Sequence, residues 1–223
     1  MYETHIFLDF EMNPIPRQFH EVRELCRAEI CEIGAVKLGP DYQLLDRYSR
    51  FVKPSYAPIA PHITNLTGIT DADVADAPAF AEAMDDFAAW IGDRPGRVYS
   101  WSMSDWYQLD DESYLKEYPL PWQLLQRWMD FQAVYTRLIG LSGAHPLSLK
   151  YAIGAVEQSF DGSAHRAVDD AANSAELLRM VKAGRLDEHA AVIRAALRPQ
   201  KEQSTMGEAL KDQLAAWKQQ HGE

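Results

Sequence analysis

Three things are scarce in this 223-residue chain, and each scarcity removes a class of protein. Cysteine occurs only at Cys26 and Cys31, so no disulfide framework can staple a small extracellular scaffold together. The two thiols lack the spacing of a common zinc half-site and no second Cys/His pair follows them, so they are expected to be buried free thiols. Long apolar runs are missing too. Nothing approaches the roughly 20 residues of a membrane-spanning helix, and the N-terminus lacks the charged and then apolar segments of a signal peptide. The expectation is a cytoplasmic protein with no membrane partner. Positive charge is the third shortage: 22 Lys and Arg face 33 Asp and Glu, a formal net charge of −11. A protein that coats nucleic acid without preference needs a broad cationic surface, and this one has none to offer. A local site for a nucleic-acid end stays open.

What is present is an ordinary globular composition, 47% hydrophobic and 25% charged, with enough apolar surface to offset chain entropy. The length suits one large domain or two small ones. The acidic excess is uneven. Between Asp71 and Glu117 lie twelve acidic residues against Arg94, Arg97 and Lys116, so most of the surplus sits there. The first sixty residues are nearly balanced and carry Arg17, Arg23, Arg27, Lys37, Arg47, Arg50 and Lys53, a candidate cationic patch on an acidic protein.

Residues 5–11 read as a strand running from apolar into acidic, residues 29–38 as a second strand, and residues 44–52 as a third, together a meander. Residues 54–70 are loop-rich. Pro78 can open a helix, after which Phe80, Met84, Phe87, Ala88 and Ile91 recur at helical spacing. Residues 97–101 form a short strand, and a helix begins near Asp105. A helix, a short strand and another helix fill 119–139. Two apolar helices follow, over 147–160 (Leu149, Ala152, Ile153, Val156) and 167–181 (Ala171, Ala175, Leu178, Val181). Thr205-Met206-Gly207-Glu208 is a capping-box pattern, with Leu210, Leu214 and Trp217 on one stripe behind it. Such strands followed by alternation favour one α/β domain of residues 1–183 and a helical extension of residues 184–223. The stripe suits packing on its own domain, or a homodimer or protein contact.

Three clusters carry chemistry. Asp9 and Glu11 stand two apart at the end of an apolar strand and so point the same way. Their mutual repulsion is relieved by a hard divalent cation such as Mg²⁺ or Mn²⁺, or simply by water if the strand emerges there. In the second cluster, Gly162 and Ser163 supply a loop for His165, and Asp170 lies in the helix behind it. A histidine can take a proton from water and a carboxylate can hold a metal ion; a capped helix with a surface histidine is the plainer alternative. Third, Asp105 follows the strand of Tyr99-Ser100-Trp101, where α/β sheets place their sites and where an Asp also serves as a cap. Asp110 and Asp111 are its rivals.

Together, Asp9/Glu11, Asp105 and His165 with four residues before Asp170 resemble the DEDDh family of 3′–5′ exonucleases, the superfamily of ribonuclease T and the polymerase proofreading subunits. Asp169-Asp170-Ala171-x-Asn173 strengthens the likeness. Within the family the chain looks most like the Eri-1/KapD-type exonucleases. The features behind this are Glu29-Ile30-Cys31-Glu32-Ile33-Gly34-Ala35, then Phe51-Val52-Lys53-Pro54 leading into Asn65-Leu66-Thr67-Gly68-Ile69-Thr70, and Trp101 ahead of the second motif. The resemblance spans residues 2–180.

The resemblance implies an α/β ribonuclease H-like fold, a mixed sheet of about five strands flanked by helices. It implies two ions, Mg²⁺ or Mn²⁺, held by Asp9, Glu11, Asp105 and Asp170, with His165 as general base and nucleoside 5′-monophosphates as products. The expected partners are single-stranded 3′ ends, RNA slightly favoured over DNA. Phe10, Met12, Leu66, Thr67 and Ile69 are the candidate substrate contacts, although Leu66 equally suits core packing. Trp101 and Trp106 suit core positions better than stacking platforms. Rival readings are a scavenger of very short fragments, like oligoribonuclease, and a regulatory protein-interaction module on the same fold.

Overall fold

A computed structural model describes residues 3–94, 96–125, 128–140, 147–155 and 161–185. Three strands open the chain as expected: β1 (Thr4–Pro14), β2 (Ala28–Leu38) and β3 (Leu44–Phe51), paired antiparallel in succession. Between β1 and β2 lies a short helix, α1 (His20–Leu25). After β3 come α2 (Pro61–Thr67), α3 (Asp71–Val74) and α4 (Phe80–Ile91). Next are β4 (Gly96–Ser100), α5 (Ser104–Leu115), β5 (Trp128–Asp130), α6 (Phe131–Leu138), α7 (Leu149–Ala155) and α8 (Ala167–Lys182). The sheet order is β3-β2-β1-β4-β5, with β4 parallel to both its neighbours. This is the mixed five-stranded sheet with flanking helices that the resemblance implied.

Strand alternation divides the core. Phe7 of β1 and its partner Val36 of β2 face α6, α7 and α8, in a cluster with Phe131, Tyr135, Ile153 and Leu177. Ile6, Leu8 and Phe10 face the other way, onto Phe80, Met84 and Phe87 of α4 and Leu109 of α5. A third, smaller cluster packs Cys31 under Ile59, Ile63, Ile69 and Val74. Both cysteines are buried free thiols, as expected.

Three short helices escaped the sequence pattern. In the stretch expected to be loop-rich, α2 starts with a proline in its first turn and stops at Gly68, whose φ of 78° suits the left-handed residue that ends a helix. Thr70 and Asp73 close a reciprocal capping box on α3. Helices this short carry less than two full turns of periodicity, so spacing cannot reveal them. Conversely, residues 122–125, expected to begin a helix, form one turn in which Leu124 and Leu125 donate back to the Pro121 carbonyl. The continuation of the 147–160 helix past Ala155, and nearly all of the 184–223 extension with its Leu210/Leu214/Trp217 stripe, fall outside the described residues. No helix among the described residues is long and apolar enough to cross a membrane.

Candidate active site

The site begins where β1 outruns its neighbour. β4 pairs with β1 only from Thr4 to Phe7, so the next part of that edge of β1 lacks a strand partner. A buried amide needs one. Asp105 supplies it: its Oδ1 accepts from the Phe10 N–H at 3.1 Å. Asp105 lies in the first turn of α5 and is 4% exposed, whereas Asp110 and Asp111 point into solvent. Of the three acids, Asp105 alone is buried against β1.

On the face that carries Phe7, the row continues with Asp9 and Glu11. Asp9 stands opposite Gly34 of β2, and Glu11 stands opposite Glu32. The missing side chain of Gly34 is essential to the geometry. A Cβ there would lie 1.9 Å from the Val168 nitrogen and 2.0 Å from the Ala167 carbonyl carbon. The first turn of α8 therefore rests directly on the sheet, which brings Asp170 over the β1 carboxylates.

Their mutual influence is strong. Burial raises the Asp9 carboxyl well above the usual range, and the charges of Asp105, Asp170, Glu11 and Glu32 raise it further. Glu11 is pushed up to about 8 by burial first and then by Asp170, Glu32 and Asp105. Burial lifts Asp105 to about 7 against the Phe10 hydrogen bond, and Asp170 to about 6 against the His165 amide and charge. Four acids from β1, α5 and α8 thus share one poorly hydrated space, and each makes the others harder to ionise.

His165 reaches the site on a loop with its own bracing. Asn173, one turn into α8, donates to the Asp161 and Asp169 carbonyls at 2.9 and 2.7 Å, and its Oδ1 accepts from the Asp161 N–H at 3.1 Å. The Asp169 carboxylate accepts from the Ser163 N–H at 2.9 Å. Gly162 has φ +82°, and a Cβ there would meet the Asp169 carboxylate at 2.4 Å. His165 itself adopts φ +65°, unusual for a residue with a side chain. Its N–H donates to Asp170 Oδ2 at 2.9 Å. Ligand-capable atoms of Glu11, His165 and Asp170 all lie within 4.8 Å of one another, a group able to hold a metal ion. Asp9 and Asp105 stand beside this group rather than in it.

Comparison with known proteins gives the chain its family. The sequence model of the family described as Exonuclease, of the RNase T type, matches residues 6–178. The chain belongs to that exonuclease family. A DNA polymerase III of the PolC type from Staphylococcus haemolyticus is 32% identical over 90 residues, 40% of this chain and 6% of the polymerase. The exonuclease thus spans only about 6% of the length of the curated relatives it matches. The same fold occurs in a full-length 3′-exonuclease, with a TM-score of 0.69 and 21% identity over 82% of this chain and 62% of that one. It occurs again in the nuclease domain of 3′hExo, described as a DEDDh family member bound to rAMP, with a TM-score of 0.67 and 22% identity over 82% and 94% of the two chains.

The expected substrate contacts of the exonuclease divide by exposure. Leu66 is 50% exposed on α2. Thr67 is buried, its hydroxyl donating to the Ile63 carbonyl and accepting from the Ile69 N–H, and Ile69 is a core residue. Phe10 is buried among the α4-side residues with Met12 packed beside it. Trp101 is buried and donates to the Leu147 carbonyl, while Trp106 stacks edgewise on Trp128. Of the early basic residues, Arg23 binds the Ile15 carbonyl, Lys37 that of Trp90, Lys53 that of Ala75, and Arg50 pairs with Asp86. Each of these four has a local partner, those of Lys37 and Arg50 both on α4, while Arg17, Arg27 and Arg47 are exposed.

Sequence reasoning passed over Gly34, Glu32, Asn13 and the structural duty of Asn173. Asn13 continues the Asp9/Glu11 row and grips the Ala57 and Pro58 carbonyls and the Ala60 N–H, fixing the start of α2 beside the site. The available signal was a polar residue at an in-facing strand position, which is costly unless it has partners.

Proposed function

We propose that the protein is a divalent-metal-dependent 3′–5′ exonuclease that releases nucleoside 5′-monophosphates from single-stranded 3′ ends, RNA slightly ahead of DNA. The observation that carries this is the convergence of Asp9, Glu11, Asp105 and Asp170 from three elements, with His165 held at their rim. Four carboxylates so close are poorly tolerated without cations. Their oxygens are the hard donors that Mg²⁺ and Mn²⁺ take, so the residues present fit a pair of such ions. Asp9, Glu11 and Asp170 would hold one, and Asp9 with Asp105 the other. Bound ions would supply charge neutralisation for the phosphodiester and its attacking and leaving oxygens.

The chain's own residues do the rest. The imidazole of His165 accepts the proton of the attacking water as its oxygen bonds to phosphorus. The bond from phosphorus to the 3′ oxygen of the preceding nucleotide breaks, that oxygen takes up a proton, and the terminal nucleotide leaves as a 5′-monophosphate. Leu66 provides exposed apolar surface against the last base, a contact that tolerates any base. The rAMP bound to 3′hExo is in keeping with action on RNA, and the preference over DNA rests on the family resemblance.

Digestion of 3′-labelled single-stranded RNA and DNA with Mg²⁺ or Mn²⁺ tests the reading. Label should be lost stepwise as mononucleotides by the wild type and not by Asp9→Ala. Equal activity in the variant, or no metal-dependent loss of label, overturns it.

A further inference from the structure

The roles assigned to the site residues leave the buried charge of Glu32 unexplained. Glu32 is wholly buried beside Glu11 on the same face of the sheet, yet it belongs to none of the roles above. Its partner comes from the loop that carries the histidine. Arg166, the residue after His165, places its Nε 3.2 Å from both Glu32 oxygens and its Nη2 2.7 Å from Oε1. Such two-pronged pairing fixes orientation as well as distance. The same carboxylate takes the Ala167 N–H at 3.2 Å, and Ser49 Oγ approaches at 3.4 Å. Helix α8 has no side-chain cap from its own N-cap residue, so Glu32 caps it from the sheet. The Phe51 ring lies 5.5 Å from the guanidinium.

We propose that Glu32 and Arg166 form a positioning clamp that holds His165 at the reaction centre. The clamp deepens the exonuclease reading and rests on His165 acting as the base. His165 is followed by a side chain locked to β2 and an amide locked to the same carboxylate, while its own N–H is tied to Asp170. A residue at φ +65° persists only where its surroundings determine it. With both sides fixed, the backbone that carries the imidazole cannot move it away from Glu11 and Asp170. The arginine is engaged on both prongs, so it acts through its neighbour and not on substrate.

The test uses the full chain with Glu32→Gln, Arg166→Gln and the double variant. Each single change should lower kcat about 10–100-fold, as losses of supporting residues around a site do, with KM held within about twofold. The double variant should be no slower than either single one, because the pair works as a unit. It should also regain much of the thermal midpoint lost by the singles, since no buried charge is left without a partner. Hydrogen exchange supplies a readout independent of turnover: amides of residues 161–166 should exchange faster in all three variants while those of β1 and β2 do not. Recovery of kcat together with the midpoint in the double variant would reduce the pair to fold stability and overturn the clamp. A rise in KM at unchanged kcat would make Arg166 a substrate contact and overturn it as well. Unchanged exchange in the loop refutes it even if the wild type shows no nuclease activity, an outcome that would separately end the exonuclease reading.

Discussion

Metal-free protein should become less stable as pH rises from about 5 to 8, and divalent cations should reverse this. The sign follows from Glu11. Its carboxyl ionises near 4.5 when unfolded and at about 8 in the fold. The native state therefore holds a proton that the unfolded chain has released, and stability falls as pH climbs from the lower value through the higher. At pH 4 the group is protonated in both states and has no effect. Carried over its full range, that displacement amounts to about 5 kcal/mol from this one acid. Asp105 at about 7 and Asp170 at about 6 push in the same direction. About 5 kcal/mol in a domain of this size corresponds to roughly 10 °C or more in the midpoint.

Metal binding requires the ionised acids, so protons and cations compete. Glu11 goes from almost fully protonated at pH 6 to half ionised at pH 8, a change of about 50-fold in the fraction ready to bind. The assay is thermal unfolding across pH with chelator, Mg²⁺ or Mn²⁺. The gap between metal-loaded and chelated midpoints should widen steadily above pH 6. Asp9→Asn, by removing one charge from the crowd, should make chelated protein more stable at pH 8 than wild type and erase most of the metal response. A flat chelated curve from pH 5 to 8, or a metal-induced gap equal at both ends, would refute the reasoning that these acids share one desolvated site.

Gly34→Ala should collapse activity and cost about 3 kcal/mol or more, because backbone atoms of α8 cannot yield to an added methyl as a side chain can; chemical denaturation measures it. Asn173→Ala should lower kcat about tenfold with a smaller loss of about 1–3 kcal/mol, since its hydrogen bonds join the histidine loop to α8. Leu66 on α2 and Ile69 just beyond it should separate cleanly. Leu66→Ala raises KM without moving the midpoint, whereas Ile69→Ala removes a buried side chain and destabilises by about 2–5 kcal/mol. The same two assays, run side by side, check both.

Of the five candidate site residues, Asp105 has rivals in Asp110 and Asp111, whereas the other four stand out in the sequence. Asp9 and Glu11 are charges inside a strand whose earlier residues are apolar, and His165 follows a glycine loop with an acid five residues on. What spacing does not encode is approach. Gly34 looks like any strand glycine until α8 is seen lying on it. Nothing local to Glu32 reveals its partner, because Arg166 is 134 positions away. The order of β4 and β5 beside β1 was equally hidden, since a parallel pairing leaves no turn residues as a sign. The helices α1 to α3 were too short to show a period, and their stops come from single residues such as Gly68.

These hidden contacts change what the acidic composition means. A nuclease site needs attraction for phosphate, and among the described residues the cation that bears on Glu11 is Arg166, already bound on two prongs by Glu32. Arg23, Lys37, Arg50 and Lys53 are likewise occupied by local acceptors. On α4 and α5, Asp85, Asp110 and Asp111 are exposed, and exposed carboxylates repel a polyanion. Attraction for the phosphodiester then falls mainly to the divalent ions that the four carboxylates would gather. Part of the negative charge would then serve the reaction: Asp9, Glu11, Asp105 and Asp170 would recruit the ions that hold the phosphodiester. Were binding to rest on ions at the reacting end rather than on contacts along the strand, release after each cut would be favoured over long processive runs.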